Sequence, residues 1–331
     1  MRRMVGSVEG ILFVILLALC VVLSLATDSF FSMQNFFDLL NNQSVNIIFA
    51  VGLVVVLIAG GIDISFSVAA SVVQYVVVVM MIQIGGGNWL LGFVAAMVCG
   101  LALGLFNAFL IHKLRIVSII ASIGTYNLFF GLLMYLTRGR SIYAIPDWLD
   151  ERVALLTVGA DRAEATLYLP ALVMLVVVSV AWFILARTGF GRLVYGFGSD
   201  PEAARRSGVR IAVMQGFAYG WLGLCAGIAG LMQAHMVREV VPNALYGREL
   251  DVLAAVVLGG AVLGGGRGTV LGAALGVLLL AVVQNGLNLL GVTPYAFKAI
   301  VGAIILIAVT FTNFDKVAPL IGLSNRKART T

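Results

Sequence analysis

The sequence predicts an all-α polytopic membrane protein, a single bundle of about ten transmembrane helices whose N- and C-termini both lie in the cytoplasm. Composition is the first reason. Of 331 residues, 61% are hydrophobic and 11% are charged, whereas soluble domains contain about 25% charged residues. The mean hydropathy is +1.08. So few polar side chains cannot cover a water-soluble globule, which excludes a cytosolic enzyme, a secreted disulfide scaffold and a disordered protein.

The continuity of the apolar runs is the second reason, because it favours helices over a β-barrel. Strands of a membrane barrel alternate apolar and polar residues, whereas the runs at 47–59 and 167–186 are apolar throughout. Inside lipid, a helix satisfies every backbone amide within its own segment. The predicted spans are 9–27, 43–59, 65–84, 88–111, 117–137, 167–186, 212–236, 250–264, 268–290 and 294–314.

The first span is interpreted as a retained anchor. Arg2 and Arg3 precede it, but residues 27–30 are not a small-x-small cleavage site. The loops between the spans are short except at 138–166, on the predicted outer side, and 187–211, on the inner side. We therefore expect one transmembrane domain over 1–331, with no linker.

The distribution of charge sets the predicted orientation. With the N-terminus in the cytoplasm, most of the 21 basic residues fall on the inner side, and the acidic residues, Glu249 and Asp251 among them, lean to the outer side. This is the bias expected of an inner-membrane protein. It accounts for the net charge of +6 without a nucleic-acid partner.

A predicted helix break follows the second span, at Gly60, Gly61, Asp63 and Ser65. Paired glycines end a helix readily, and either Asp63 or Ser65 can cap the next helix by accepting hydrogen bonds from its free amides. One interpretation is a tight hairpin with a capping acid. The other is a broken helix that contributes to a gate, and both can hold together.

The inner loop contains a short, well-bounded predicted helix. Ser199 or Asp200 can cap it, Pro201 suits its first turn, and Gly208 ends it. Two interpretations remain open: an inert amphipathic loop helix, or a lever that docks in a partner's cleft. The residues of this segment are Ser199, Asp200, Pro201, Glu202, Ala203, Ala204, Arg205, Arg206 and Gly208.

The glycine-rich segment 259–269 resembles a nucleotide-binding loop only superficially, because it lacks the Lys and the following Ser or Thr of that motif. It predicts closely packed helices joined by a tight turn. The apolar runs at 54–65 and 255–266 both end in paired glycines. Either a duplication of the chain or a coincidence explains this similarity.

Polar side chains within the spans must face the bundle. They either hold helices together or line a path for a neutral polar solute. The candidates for that path are Asn46, Gln74, Asn107, Ser122, Thr125, Asn127, Gln284, Asn285 and Asn288. For His235, packing is favoured over proton relay. Cys20, Cys99 and Cys225 lie in apolar runs without metal-ligand spacing, so no metal site is predicted.

Four segments together resemble the permease subunits of bacterial binding-protein-dependent ABC importers, and within them the ribose-type sugar permeases. The pattern Glu-Ala-Ala-x-x-x-Gly at 202–208 resembles the coupling motif of such permeases. Gly-Gly-Ile-Asp-Ile-Ser at 60–65, with 249–260 and 285–292, resembles the signatures of the sugar branch. The order and spacing fit over nearly the whole chain. The family usually has a glycine soon after its Asp-x-Ser sequence, but this chain has Phe-Ser-Val at 66–68. We therefore expect different packing at this helix break.

This resemblance implies a transport subunit without covalent chemistry or an ATPase site. It implies a multi-pass protein of the bacterial inner membrane that moves a monosaccharide or a related polyol or furanose by ATP-driven alternating access. The implied partners are a second permease subunit, identical or related, a cytoplasmic ABC ATPase that uses the ATP, and a periplasmic sugar-binding protein. No cofactor is expected on this chain.

Three alternatives are weighed. A branched-chain amino-acid permease would share the fold, but the Ile-Asp-Ile-Ser string favours sugars. An ion-coupled secondary transporter would need ionisable residues near the middle of the membrane, and the predicted spans contain almost none. A membrane enzyme would need clustered His, Asp or Glu, whereas His112 and His235 are far apart.

Overall fold

The computed structural model describes residues 8–159, 164–293, 296–300 and 302–303. Of the predicted last span, 294–314, only 296–300 and 302–303 are among the described residues. The elements are helices α1 Val8–Ala26, α2 Met33–Ile58, α3 Phe66–Gln83, α4 Trp89–Lys113, α5 Ser118–Thr137 and α6 Asp147–Asp150, strands β1 Ala154–Val158 and β2 Ala165–Tyr168, and helices α7 Leu169–Trp182, α8 Gly189–Ser199, α9 Pro201–Arg206, α10 Ile211–Val237, α11 Arg248–Leu258 and α12 Val270–Leu289. A π-helical turn, Phe183–Arg187, extends α7.

Eight helices within the described residues are long and apolar enough to cross a membrane: α1, α2, α3, α4, α5, α7 with its π turn, α10 and α12. They confirm the prediction of a polytopic all-α membrane protein. The mostly apolar faces of α1, α4 and α5 are exposed, as expected of helices that meet lipid.

The predicted span 250–264 is wrong. The helix found there, α11, has 11 residues and rises about 16 Å, roughly half of the hydrocarbon thickness of a bilayer. It ends because Gly259 and Gly260 follow it, and Gly260 has a φ of +92°. The apolar composition continues across this glycine pair, and that continuity concealed the helix end.

Helix α2 lies at the centre of the bundle, buried over most of its length from Val45 onward. It begins at Met33, ten residues before the predicted start, and Ser32 caps it by accepting from the amide of Asn35. The polar residues near its start favoured a loop. The structure instead uses Asn41 to bond the β-hairpin, since its Nδ2 donates to the carbonyl of Thr166 at 2.9 Å.

Helices α4 and α10 pack in backbone contact. Gly100 and Gly104 of α4 face Gly223 and Gly227 of α10, and a Cβ added at any of these four would overlap the facing helix. Small residues spaced by four allow helix axes to approach closely in membranes. This close approach fixes α10 against α4 along the middle of the bundle.

The loop near 138–166, which is predicted to lie on the outer side, folds onto the bundle. Leu149 of α6 is fully buried, and Trp148 Nε1 donates to the carbonyl of Gly86 at 2.6 Å. Strands β1 and β2 pair antiparallel. Asp150 forms an ion pair with Arg238 at 2.8 Å, and this guanidinium lowers the pKa of the Asp150 carboxyl. The hairpin was not predicted from the sequence.

Candidate functional site

The predicted short helix of the inner loop is present as α9, and a second helix, α8, precedes it. Asp200 caps α9, since its Oδ1 accepts from the amides of Glu202 at 3.0 Å and Ala203 at 2.9 Å. Gly208 follows with a φ of +84°. Ser199 is not the cap, because it ends α8 and its hydroxyl donates to the carbonyl of Tyr195. None of the α9 residues is buried, so the helix presents its sides outward.

A glycine junction, which we define as Gly60, Gly198, Gly265 and Gly266, joins α8 to two other parts of the bundle. The amide of Gly266 donates to the carbonyl of Ile58 at 2.8 Å. A Cβ at Gly198 would overlap that same carbonyl oxygen, and a Cβ at Gly265 would overlap the carbonyl of Gly198. The end of α2, the end of α8 and the loop between α11 and α12 therefore touch through their backbones.

The two apolar runs that end in paired glycines come together at this junction. The run at 54–65 and the run at 255–266 meet here, directly beside the start of α9. Tyr195 of α8 adds a bond to the same loop, because its hydroxyl donates to the carbonyl of Gly268 at 2.8 Å. The predicted tight turn with close helix packing is also present, since Gly276 of α12 lies against the carbonyl of Ala255 on α11.

The break between α2 and α3 is held by a buried polar cluster. Gly60 has a φ of +82°, and Asp63 behind it is 2% exposed. Asp63 Oδ1 accepts from the amide and the hydroxyl of Ser65, both at 2.7 Å, and its Oδ2 accepts from Asn107 Nδ2 at 2.9 Å. The side chain of Ser65 makes no capping bond, so the capping bond predicted for Ser65 is wrong. The break is therefore pinned to α4, and its role as a gate stays a prediction.

Glu249 lies in a second buried carboxylate cluster, and its predicted place in an outer loop is wrong. It is 5% exposed. Its Oε2 accepts from the hydroxyl of Ser67 at 2.6 Å and the amide of Gly247 at 3.1 Å, and its Oε1 accepts from the hydroxyl of Tyr126 at 3.0 Å. Glu249 thus ties α11 to α3 and α5. Its position directly before an apolar run was the one signal in the sequence.

The structure scatters the predicted path residues. Asn46 and Gln284 line one cavity of about 220 Å³ between α2, α11 and α12, together with Arg248 and Asp251, which the sequence reasoning missed. Their charges had assigned both to an outer loop.

The other candidates lie elsewhere. Buried Gln74 donates to the carbonyl of Val241, and Asn107 belongs to the Asp63 cluster. The remaining ones bond their own helix, pair with Asn35 or are exposed; they are Ser122, Thr125, Asn127, Asn285 and Asn288.

His235 packs as predicted. It is fully buried, its Nδ1 lies 2.8 Å from the carbonyl of Leu149, and its ring meets Trp89 edge to face at 5.0 Å.

Comparison with known proteins identifies the family. The model of the family described as "branched-chain amino acid transport system / permease component" matches residues 35–309. The ribose import permease RbsC of Escherichia coli (strain K12) is 33% identical over 306 residues, which cover 90% of this chain and 91% of that protein. RbsC of Haemophilus influenzae is 30% identical over 91% of this chain and 92% of that protein.

The autoinducer 2 import permease LsrC of Yersinia pseudotuberculosis is 31% identical over 92% of this chain and 84% of that protein. No solved structure matches the chain. The import permeases and the eight apolar helices identify a multi-pass protein of the bacterial inner membrane. The family match spans most of the chain and the similar proteins match it nearly end to end, so the chain belongs to this family of transport-system permease components.

Proposed function

We propose that the chain is the transmembrane permease of an ABC importer, and that it forms the translocation path for a monosaccharide or a related furanose. The observation that carries the proposal is the similarity, over about nine tenths of the chain, to proteins named as ribose and autoinducer 2 import permeases. The family description mentions branched-chain amino acids, but the similar proteins named above favour a sugar.

The proposed coupling runs through α9. This exposed, well-capped helix would dock on a cytoplasmic ATPase subunit, which binds and uses the ATP, while this chain holds no cofactor. A displacement of α9 moves the end of α8, and the backbone contacts of the glycine junction pass that displacement to α2 and to the loop before α12. Backbone contact transmits motion well because no flexible side chain absorbs it.

Alternating access would follow from the movement of these helices against the rest of the bundle. The Asp63 cluster ties the break after α2 to α4, so the break would move as a unit and serve as part of a gate. A second permease subunit, identical or related, would complete the path, and a periplasmic binding protein would deliver the sugar.

The solute is tested by uptake in cells that express the chain with its ATPase and its binding protein. We expect accumulation of a sugar such as D-ribose, D-xylose or D-galactose and none of L-leucine. Accumulation of L-leucine without any of these sugars would contradict the proposal and favour the amino-acid permease.

The coupling role is tested by Glu202→Ala and Gly208→Ala. Glu202 makes an exposed ion pair with Arg205 at 3.0 Å, and Gly208 holds a left-handed conformation that costs a residue with a Cβ about 1–2 kcal/mol. Both variants should remain in the membrane and lose ATP-driven uptake. Gly216→Ala, at a glycine with open space around it, is the control that should transport normally. Unchanged uptake in both coupling variants would refute this role.

A further inference from the structure

The cavity between α2, α11 and α12 has a polar and charged lining, of which Asp251 is exposed. Its volume of about 220 Å³ lies below the range of roughly 300–1,000 Å³ that larger, drug-sized ligands occupy, so it suits a single small ring. One side carries the amides of Gln43, Asn46 and Gln284, and Arg248 and Asp251 add opposite charges. Aliphatic side chains of α11 and α12 form the rest.

One polar atom in this lining is buried and without a partner. Asn46 Nδ2 donates to Gln43 Oε1 at 2.9 Å, which fixes the amide. Its Oδ1 is buried and accepts no hydrogen bond in the part of the chain that the structure describes. A buried acceptor left unpaired carries a desolvation cost. A donor brought by an occupant of the cavity would remove that cost.

The two charges lie near each other without direct contact. Arg248 and Asp251 form no ion pair within the described residues. Arg248 Nη1 instead donates a long hydrogen bond of 3.5 Å to Gln233 Oε1. A guanidinium offers only donors and a carboxylate only acceptors, so the pair can bond neighbouring hydroxyl groups, which both donate and accept.

We propose that this cavity is the sugar-selecting site of the permease, where Asn46, Gln284, Arg248 and Asp251 bond the hydroxyl groups of one monosaccharide. The proposal rests on the proposed function and names the site within it. Sugar rings combine apolar C–H faces with hydroxyl edges, which matches a cavity that is part aliphatic and part polar. The aliphatic side chain of a branched-chain amino acid would leave the amides of Asn46 and Gln284 unpaired, which is penalised in a site built to hydrogen-bond its substrate.

The helices that line the cavity also run to the glycine junction beside α9. Asn46 lies twelve residues before Ile58 on the continuous helix α2, which corresponds to about 18 Å. Ile58 belongs to the backbone contacts of the glycine junction, and the loop between α11 and α12 carries Gly265 and Gly266. The three helices that line the cavity therefore all lead to the junction beside α9, so movement there would reshape the site.

The test uses the complete transporter, permease with ATPase and binding protein, reconstituted in liposomes and supplied with D-ribose, D-xylose or D-galactose. For the best-transported sugar, Asn46→Ala and Gln284→Ala should each raise the KM of uptake about tenfold or more. The amount of protein in the membrane should not change. The matched control is Asn127→Ala, an exposed amide on α5 that bonds only its own helix, and its KM should stay near that of the wild type.

A second readout separates recognition from a general defect. The Asn46→Ala variant should take up the sugar and its deoxy analogues at more similar rates than the wild type does. A merely structural fault would lower the uptake rates of all these solutes together. If the wild type transports sugar and both cavity variants keep its KM and its selectivity, the inference is overturned and the proposed function stands. If the wild type transports none of the three sugars, the proposed function itself fails.

Discussion

Single buried carboxylates lie at the starts of helices α3 and α11. Asp63 precedes α3 and Glu249 lies in the first turn of α11, and each accepts hydrogen bonds from hydroxyl, amide or backbone N–H groups. No basic side chain forms an ion pair with either in the described part of the chain. Since a buried carboxylate without hydrogen bonds is very costly, these neutral donors are what keep both acids in place.

Glu249 provides the residue-scale prediction. Glu249→Ala leaves the hydroxyls of Ser67 and Tyr126 without their acceptor, so we expect the free energy of unfolding in detergent to fall by about 2–5 kcal/mol. Glu249→Gln keeps one carbonyl oxygen as an acceptor, so its free energy of unfolding should fall by less. The control, Glu151→Ala, alters an exposed acid and should stay within about 0.5 kcal/mol of the wild type. Equal stability of Glu249→Ala and the control would show that the buried cluster does not stabilise the bundle.

The two carboxylates, Asp63 and Glu249, differ in how well the sequence predicts their positions. Asp63 follows paired glycines at the end of an apolar run, so its place at a helix break could be predicted. Glu249 stands directly before an apolar run, which is also how a residue at a membrane surface looks. Its burial depends on Ser67 and Tyr126, which come from helices far away in the chain, and no local pattern encodes such contacts.

Among the secondary-structure elements, α9 was the most predictable, whereas the end of α11 was missed. The string Asp-Pro-Glu-Ala-Ala provides a cap, a first-turn proline and helix-forming residues, all of them local effects. The end of α11 depends instead on a glycine pair inside a longer apolar run. Composition alone does not separate a half-length helix from a spanning one.

The glycine junction provides the element-scale prediction. Gly198→Ala places a methyl group against the backbone carbonyl of Ile58, and a rigid backbone cannot yield as a flexible side chain does. We expect α8 to shift away from α2, ATP-driven uptake to fall about tenfold, and the ATPase to respond less to the binding protein. The matched control is Gly196→Ala in the same helix, where open space surrounds the glycine.

Normal uptake by Gly198→Ala would refute a transmitting role for the junction. Loss of uptake in Gly196→Ala to the same degree would indicate that α8 tolerates no alanine at all, which would equally contradict a specific contact with α2.

At the scale of the whole molecule, composition and the continuous apolar runs were enough to predict a polytopic helical bundle and most of its spans. The orientation of the chain in the membrane, which follows from the distribution of basic residues, stays a prediction. The outer hairpin, the meeting of the two glycine-ended runs and the cavity between α2, α11 and α12 were not predictable. All three depend on segments that are distant in the chain, such as Asn41 with Thr166 or Ile58 with Gly266.

One end of the molecule carries α9, the proposed coupling helix. The helices α2, α11 and α12, which lead from the glycine junction beside it, line a partly polar cavity. The family is that of a transport-system permease component, so the motion that drives transport is expected to come from another component. The central claim is therefore that ATP hydrolysis by a partner drives transport through this chain.

The most direct measurement is uptake of labelled D-ribose, D-xylose and D-galactose by liposomes containing the purified chain, with or without its ATPase and binding protein. We predict uptake of a sugar only when both partners and ATP are present, and none by the chain alone under an imposed proton or sodium gradient. Solute-specific uptake by the chain alone, driven by such a gradient, would contradict the account.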